Sequence, residues 1–232
     1  MKKFYLTGML FLVSILMMAG TIEQTYVFKN QKITKSGDYS LISFDNLLLT
    51  GKAGEPVLPY QAVKILLPPG QVATSIEVIG NDEVFLSGTY KLFPKQPARP
   101  LSDPGNEKFY YNETVYLRET NYPAKPYGEL NTSYLNGYAI ALSSFTPIKY
   151  NPASGQISFY QQVTVRVHTK EDVTSVKALE NLQNSQTIKN RIEGFVQNPA
   201  ISKQYHIKSK SAADYQLLMD EFAPDRAKKQ QS

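Results

Sequence analysis

Two histidines, His168 and His206, are the only imidazoles in the sequence, and it contains no cysteine. An imidazole moves protons near neutral pH, but as a catalytic base it needs a nucleophile to activate and a third group to orient it. Without cysteine there is no thiolate nucleophile, no disulfide framework, no Cys-ligated zinc and no iron–sulfur cluster. His168 falls on the polar parity of an alternating run, with no Asp or Glu at a spacing that forces contact, and reads as a solvated surface histidine. His206 sits among Lys203, Lys208 and Lys210 and reads the same way. No phosphate-binding glycine loop or metal motif occurs, nor any internal repeat with a period of roughly 20–50 residues. These residues assign no catalytic group, no metal and no cofactor.

The remaining question is what scaffold such a chain builds. Its 232 residues suit one principal core. Hydrophobic residues make up 42% and charged residues 19%, close enough to globular norms to exclude disorder of the whole chain. Aromatics reach 12%, with 16 Tyr, 11 Phe and no Trp, a bias towards strands. The net charge of +5 drops by two, to +3, once Lys2 and Lys3 are removed with the leader. An excess so small and scattered predicts no nucleic-acid partner.

That leader is expected at residues 1–20: Lys2 and Lys3, an apolar stretch over 4–18, then Ala19 and Gly20. The order is that of a secretory signal, and the apolar stretch is shorter than the ~20 residues of a membrane span. With no cysteine to acylate, no stable membrane anchor is expected. The mature chain should begin near Thr21 and be exported to the periplasm, the cell surface or the medium.

From residue 21 to 170 short alternating runs are separated by turn clusters, which predicts an all-β fold, an antiparallel β-sandwich or barrel-like unit. Ser36-Gly37-Asp38, Pro69-Gly70, Gly80-Asn81-Asp82, Ser87-Gly88 and the 151–155 segment read as the breaks. The clearest strand is 156–168, with Ile157, Phe159, Val163, Val165 and Val167 on one parity, interrupted by Gln161. Val63, Ile65 and Leu67, and then Tyr138, Ile140 and Leu142, alternate in the same way. Pro94, Pro97, Pro100 and Pro104 remove too many donors for a central strand and predict an extended surface crossing.

Beyond His168 the period changes. Val176, Leu179 and Leu182, then Ile188, Ile192, Phe195 and Val196, recur at spacings of three and four, predicting a short helical extension over 171–199 that either caps the sandwich or leads to another module. Residues 200–213 read as a linker by composition. Residues 214–232 open a new apolar run, Tyr215 to Met219, that cannot bury itself alone.

Two segments go beyond generic β patterning. GKAGEPVLPYQAVKILLPPGQ (51–71) holds a Gly-x-Pro-x-Leu-Pro element followed by an alternating strand, and LNGYAIALSSFTPIKYNPASGQISFYQQVTVRV (135–167) runs from strand to turn to strand. In this order they resemble the N-terminal propeptide of gingipain-type cysteine peptidases. AADYQLLMDEF (212–222) looks like the entry strand of the peptidase domain that follows such propeptides. The catalytic Cys and His of that family lie further downstream, so no catalytic position carries over, and the chain reads as the front portion of a zymogen.

The resemblance implies a prodomain that covers the active-site cleft of a cognate cysteine peptidase, inhibits it during export and assists its folding. Gingipain-like enzymes prefer Arg or Lys before the cut, so a basic prodomain side chain suits their acidic specificity pocket. Arg118 and Lys125 flank the loop LRETNYPAKPY, and Lys95 and Arg99 lie in the Pro-rich stretch. These four are the candidate partner-binding residues, with 117–127 favoured over 94–100 because Asn121-Tyr122-Pro123 is turn-compatible. The competing expectation is a stand-alone cell-surface binding module of β-sandwich type.

Overall fold

The computed structural model describes residues 20–98, 100, 102 and 108–206. In chain order the strands are β1 (Gly20–Val27), β2 (Lys32–Ser36), β3 (Tyr39–Ser43), β4 (Leu48–Thr50), β5 (Leu58–Leu66) and β6 (Gln71–Phe85). A single helical turn, α1 (Glu113–Tyr116), precedes β7 (Asn131–Leu135), β8 (Tyr138–Phe145), β9 (Ile148–Asn151) and β10 (Gln156–Glu171). Helices α2 (Val173–Leu179) and α3 (Gln186–Phe195) and a 3₁₀ helix (Pro199–Gln204) follow. The expected leader, Arg99 and the tail beyond His206 lie outside the described residues.

The alternating run at 156–168 becomes the axis of the first sheet. β10 pairs antiparallel with β6 on one flank, and on the other with β9 and then β1. Ile157, Phe159, Val163, Val165 and Val167 all turn inward and are buried, while Gln161 is exposed. The second sheet runs β4-β5-β8-β7, all antiparallel, and sends Val63, Ile65, Ala139, Ala141 and Phe145 into the same core. β2 and β3 form a separate two-stranded sheet, and both four-stranded sheets have open strand orders, so the fold is a sandwich and not a closed barrel. Each fully buried Val, Leu, Ile or Phe contributes about 1.5–3 kcal/mol. Edge-to-face contacts among Phe28, Phe44, Phe145 and Phe159 add geometric specificity.

One expected break is continuous strand. β6 runs straight through Gly80-Asn81-Asp82, in register with β10 on both sides. The glycine is required for another reason: the Tyr160 ring lies against it where a Cβ would stand. Asp82 takes a positive φ of 54° without ending the pairing.

The outer face of the second sheet is buried as well. Leu66, Tyr138 and Ile140 point away from the sandwich core and pack with Leu182, Ile192, Val196 and Tyr205. The C-terminal helices therefore form a third layer on the β5–β8 pair. Asp172 caps α2 through the Ser175 N–H and Ser185 caps α3 through the Ile188 N–H, each worth about 1 kcal/mol. Periodicity placed Val176 and Phe195 on the apolar stripe, but both are exposed; Phe195 receives the Lys64 ammonium 4.6 Å above its ring.

Past the end of β4, the flank of β5 is closed by side chains. Gln197 accepts from the Lys64 N–H at 2.8 Å and donates to the Ala62 carbonyl at 2.8 Å. Asn198 accepts from the Leu66 N–H at 2.7 Å and donates to its carbonyl at 2.8 Å. The polar composition from Ala200 predicts a linker, yet the chain stays packed as far as Tyr205, which is 2% exposed. The Tyr205 hydroxyl donates to the Leu67 carbonyl at 2.8 Å and accepts from the Ala139 N–H at 3.1 Å.

Candidate docking surface

Residues 117–127 cross the outside of the sandwich and are fastened along their length. At the start, the Arg118 carbonyl accepts from the Ala153 N–H at 3.1 Å and the Glu119 carbonyl accepts from the Asn151 side-chain amide at 2.7 Å. In the middle, Tyr122 and Tyr150 exchange backbone bonds of 2.7 and 3.2 Å. At the end, the Pro126 carbonyl accepts from the Thr146 N–H and Gly128 donates to the Ser144 carbonyl, both at 2.8 Å. Between these points Arg118, Glu119, Thr120, Asn121, Ala124 and Lys125 are exposed. A segment held in this way loses little conformational entropy when a partner binds it.

Tyr122 is the inward anchor. It is 9% exposed, and its hydroxyl donates to the Glu55 carboxylate at 2.9 Å. Burial, and secondarily that carboxylate, push its pKa well above the usual phenol value, so it remains a donor. Glu55 also reaches the second basic segment: its carbonyl accepts from the Lys95 N–H at 2.8 Å, while the Lys95 carbonyl accepts from the Gly54 N–H at 2.7 Å. The bridge between Pro56 and Pro94 continues this pairing. Lys95 is exposed on an extended crossing, as the prolines predicted, and Glu55 links it to the 117–127 loop. Lys125 is exposed and holds its ammonium 4.5 Å from the Tyr127 ring centroid.

Under the loop lies a hollow of about 230 Å³, walled by Asn121, Pro123 and Pro126 above and by Gly80, Lys149 and Tyr160 below. Its floor is braced by Glu83, which accepts from Ser158 at 2.6 Å and from Lys149 at 3.0 Å. The Ser158 bond, followed by Lys149, lowers the Glu83 pKa. Hydrogen bonding to Tyr160 is the leading cause that raises that of Lys149.

The histidines are far from this assembly in role. His168 has a carboxylate neighbour after all: its Nε2 stands 3.2 Å from Glu77, a diagonal cross-strand neighbour that the β6–β10 register supplies. Its Nδ1 faces the Thr21 hydroxyl at 3.2 Å. His206 is exposed. Among the described residues no three His, Asp or Glu side chains gather to hold a metal ion, and no helix is long and apolar enough to cross a membrane.

The surface that sequence reading missed is a cleft of about 460 Å³ on the far side of the Arg118–Ala153 contact. Tyr39, Lys91 and Tyr111 converge there from three distant stretches of chain. No periodicity links those positions; their aromatic and basic types were the one available signal.

The Propeptide_C25 family model matches residues 23–196. A structure bearing on the zymogenic latency of gingipain K from Porphyromonas gingivalis superposes with a TM-score of 0.54 at 22% identity, covering 66% of this chain and 88% of that one. A complex of the pro- and mature domains of RgpB from the same organism superposes with a TM-score of 0.58 at 14% identity, covering 77% of this chain and 93% of that one. No match to a curated protein is found.

Proposed function

The chain belongs to the Propeptide_C25 family, the non-catalytic propeptides of gingipain-type cysteine peptidase zymogens, and from that membership we propose that it inhibits its own peptidase and assists its folding during export. The observation that carries this reading is the 117–127 loop, exposed yet tethered at three places to a rigid sandwich. Preorganised loops of this kind are what proteinaceous protease inhibitors present to a cleft. The RgpB complex supports a catalytic domain as the partner by analogy of fold.

In this reading Arg118 or Lys125 enters an acidic specificity pocket, and Lys95 and Arg99 lie beside it or form a secondary contact. Arg118 is favoured because its own carbonyl and that of Glu119 are both held, whereas the Lys95 backbone is committed to strand-like pairing with residues 54 and 55. A desolvated Arg facing a pocket carboxylate is a binding hot spot whose truncation costs roughly 2–5 kcal/mol.

The test is inhibition of the zymogen's own catalytic domain by wild type, Arg118→Ala, Lys125→Ala and Lys95→Ala/Arg99→Ala. Loss of inhibition in Arg118→Ala or Lys125→Ala is the expected result. Equal inhibition by all variants removes the docking loop but leaves the propeptide role. A wild-type chain that neither binds nor inhibits removes the inhibitor role and favours a stand-alone binding module.

A further inference from the structure

The tyrosine-lined cleft has the makings of a recognition site in its own right. The Lys91 ammonium stands 4.9 Å from the Tyr39 ring centroid and 5.0 Å from that of Tyr111. Tyr111 stacks on Tyr116 at 4.4 Å, and the Tyr116 hydroxyl donates to the Leu92 carbonyl at 2.6 Å. The lysine is thus positioned by rings, and the rings are positioned by backbone. Lys35 from the end of β2 and Asp38 from the turn that follows it complete the rim.

Two features indicate what fits. Rigid tyrosines set among small residues, the turn glycines Gly37 and Gly155 and the strand residue Ser40, have the composition of protein-binding surfaces. Two lysines face one aspartate, and among the described residues neither Lys35 nor Lys91 forms an ion pair. Ammonium groups and phenol hydroxyls offer donors, and a carboxylate is the acceptor-only group of proteins that complements them. Location bears on which partner this is. Ala153 lines the cleft while its N–H holds the Arg118 carbonyl, so cleft and loop flank one turn.

We propose that this cleft is a second docking point for the same peptidase, receiving an acidic segment of the catalytic domain's surface beside the segment engaged by Arg118. This rests on the inhibitory reading above. It adds that affinity is divided between a loop at the active site and an electrostatic seat outside it.

The experiment measures binding kinetics of the zymogen's own catalytic domain to wild type, Lys35→Gln, Lys91→Gln, the double variant and Arg118→Ala, across a salt series. Each single lysine change is expected to raise Kd roughly threefold to fivefold, and the pair about tenfold or more, with a shallower salt dependence. A short oligo-glutamate peptide should compete with the wild type and not with the double variant. A catalytic domain whose active site carries a covalent substrate-like inhibitor should keep residual affinity that the double variant lacks. Lys91→Met, with its thermal midpoint, controls for packing of the rings, and Lys35→Gln is independent of that stack.

Lysine variants that bind as wild type while Arg118→Ala binds weakly overturn the cleft proposal and leave the inhibitory loop intact. A sulfated oligosaccharide that displaces the catalytic domain where oligo-glutamate does not overturns it in favour of an anionic glycan. Absence of binding by wild type removes both readings.

Discussion

Removing one oxygen atom from Tyr205 measures how firmly the C-terminal layer is fastened. In Tyr205→Phe the ring still packs at 4.5 Å against Tyr138, but the Leu67 carbonyl and the Ala139 N–H lose the hydroxyl that served both. Leu67 is 0% and Ala139 2% exposed, so water does not readily replace it. A buried group left without its partner costs about 1–3 kcal/mol, and the two together set an expected loss of about 2–4 kcal/mol. Tyr138→Phe is the internal control. Its hydroxyl donates to the Asn184 side chain at a half-buried position, and its loss should cost about 0.5–1.5 kcal/mol. Urea unfolding followed by circular dichroism reads both values, since the chain has no tryptophan.

The same substitution carries a pH signature. Burial pushes the Tyr205 phenol up to about 12 from its ordinary value near 10. A raised pKa means that the folded state holds the proton longer than the unfolded state. The stability tied to the neutral phenol is therefore complete below about pH 10 and is lost between about 10 and 12, at up to about 1.4 kcal/mol per pH unit. Phenylalanine has no such proton, so the gap between wild type and Tyr205→Phe should narrow through that window. A variant within about 0.5 kcal/mol of wild type at neutral pH, or a gap that stays constant up to about pH 11, refutes the reasoning.

Two further substitutions test the backbone arrangement. Asn198→Ala should cost about 2 kcal/mol by leaving both backbone groups of Leu66 without the side-chain amide; Asn198→Asp should rescue little, because a carboxylate accepts from the N–H but repels the carbonyl, and equal urea midpoints for all three proteins would count against this. Gly80→Ala should cost about 1–3 kcal/mol because the new methyl meets the Tyr160 ring; pairing it with Tyr160→Ser should cost less than the sum of the single changes, and strict additivity would show that the contact is not the cause.

Much of the sandwich was legible because burial on one face imposes a period of two. Val163, Val165 and Val167 announced the inner face of β10, and all three are buried. The all-β class and the C25 propeptide family were likewise readable, the family from the 51–71 and 135–167 segments. What composition misread were residues whose role depends on a distant neighbour. Gly80 looks like a turn residue until Tyr160 is laid over it. Tyr205 looks like part of a basic linker until the groove between Leu67 and Ala139 is present. At the docking surface, Arg118 and Lys125 were visible as charges in a turn-rich stretch, but their tethering comes from Tyr150, Asn151 and Ala153. The Lys91 cleft was invisible because its rings come from positions 39, 111 and 116.

The two amides that close the flank of β5 also decide what that strand edge would do if they were removed. A side chain that satisfies alternate N–H and C=O groups is doing the work of a missing neighbour strand, and any extended peptide could take its place. If a protease cuts ahead of Gln197 and residues 197–206 peel away, Ala62, Lys64 and Leu66 present an unpaired ladder with an apolar face behind it. Such an edge recruits strands from other copies. Gln197 and Asn198 are thus expected to guard this edge, so that a chain clipped ahead of Gln197 sediments as larger species while the intact chain does not.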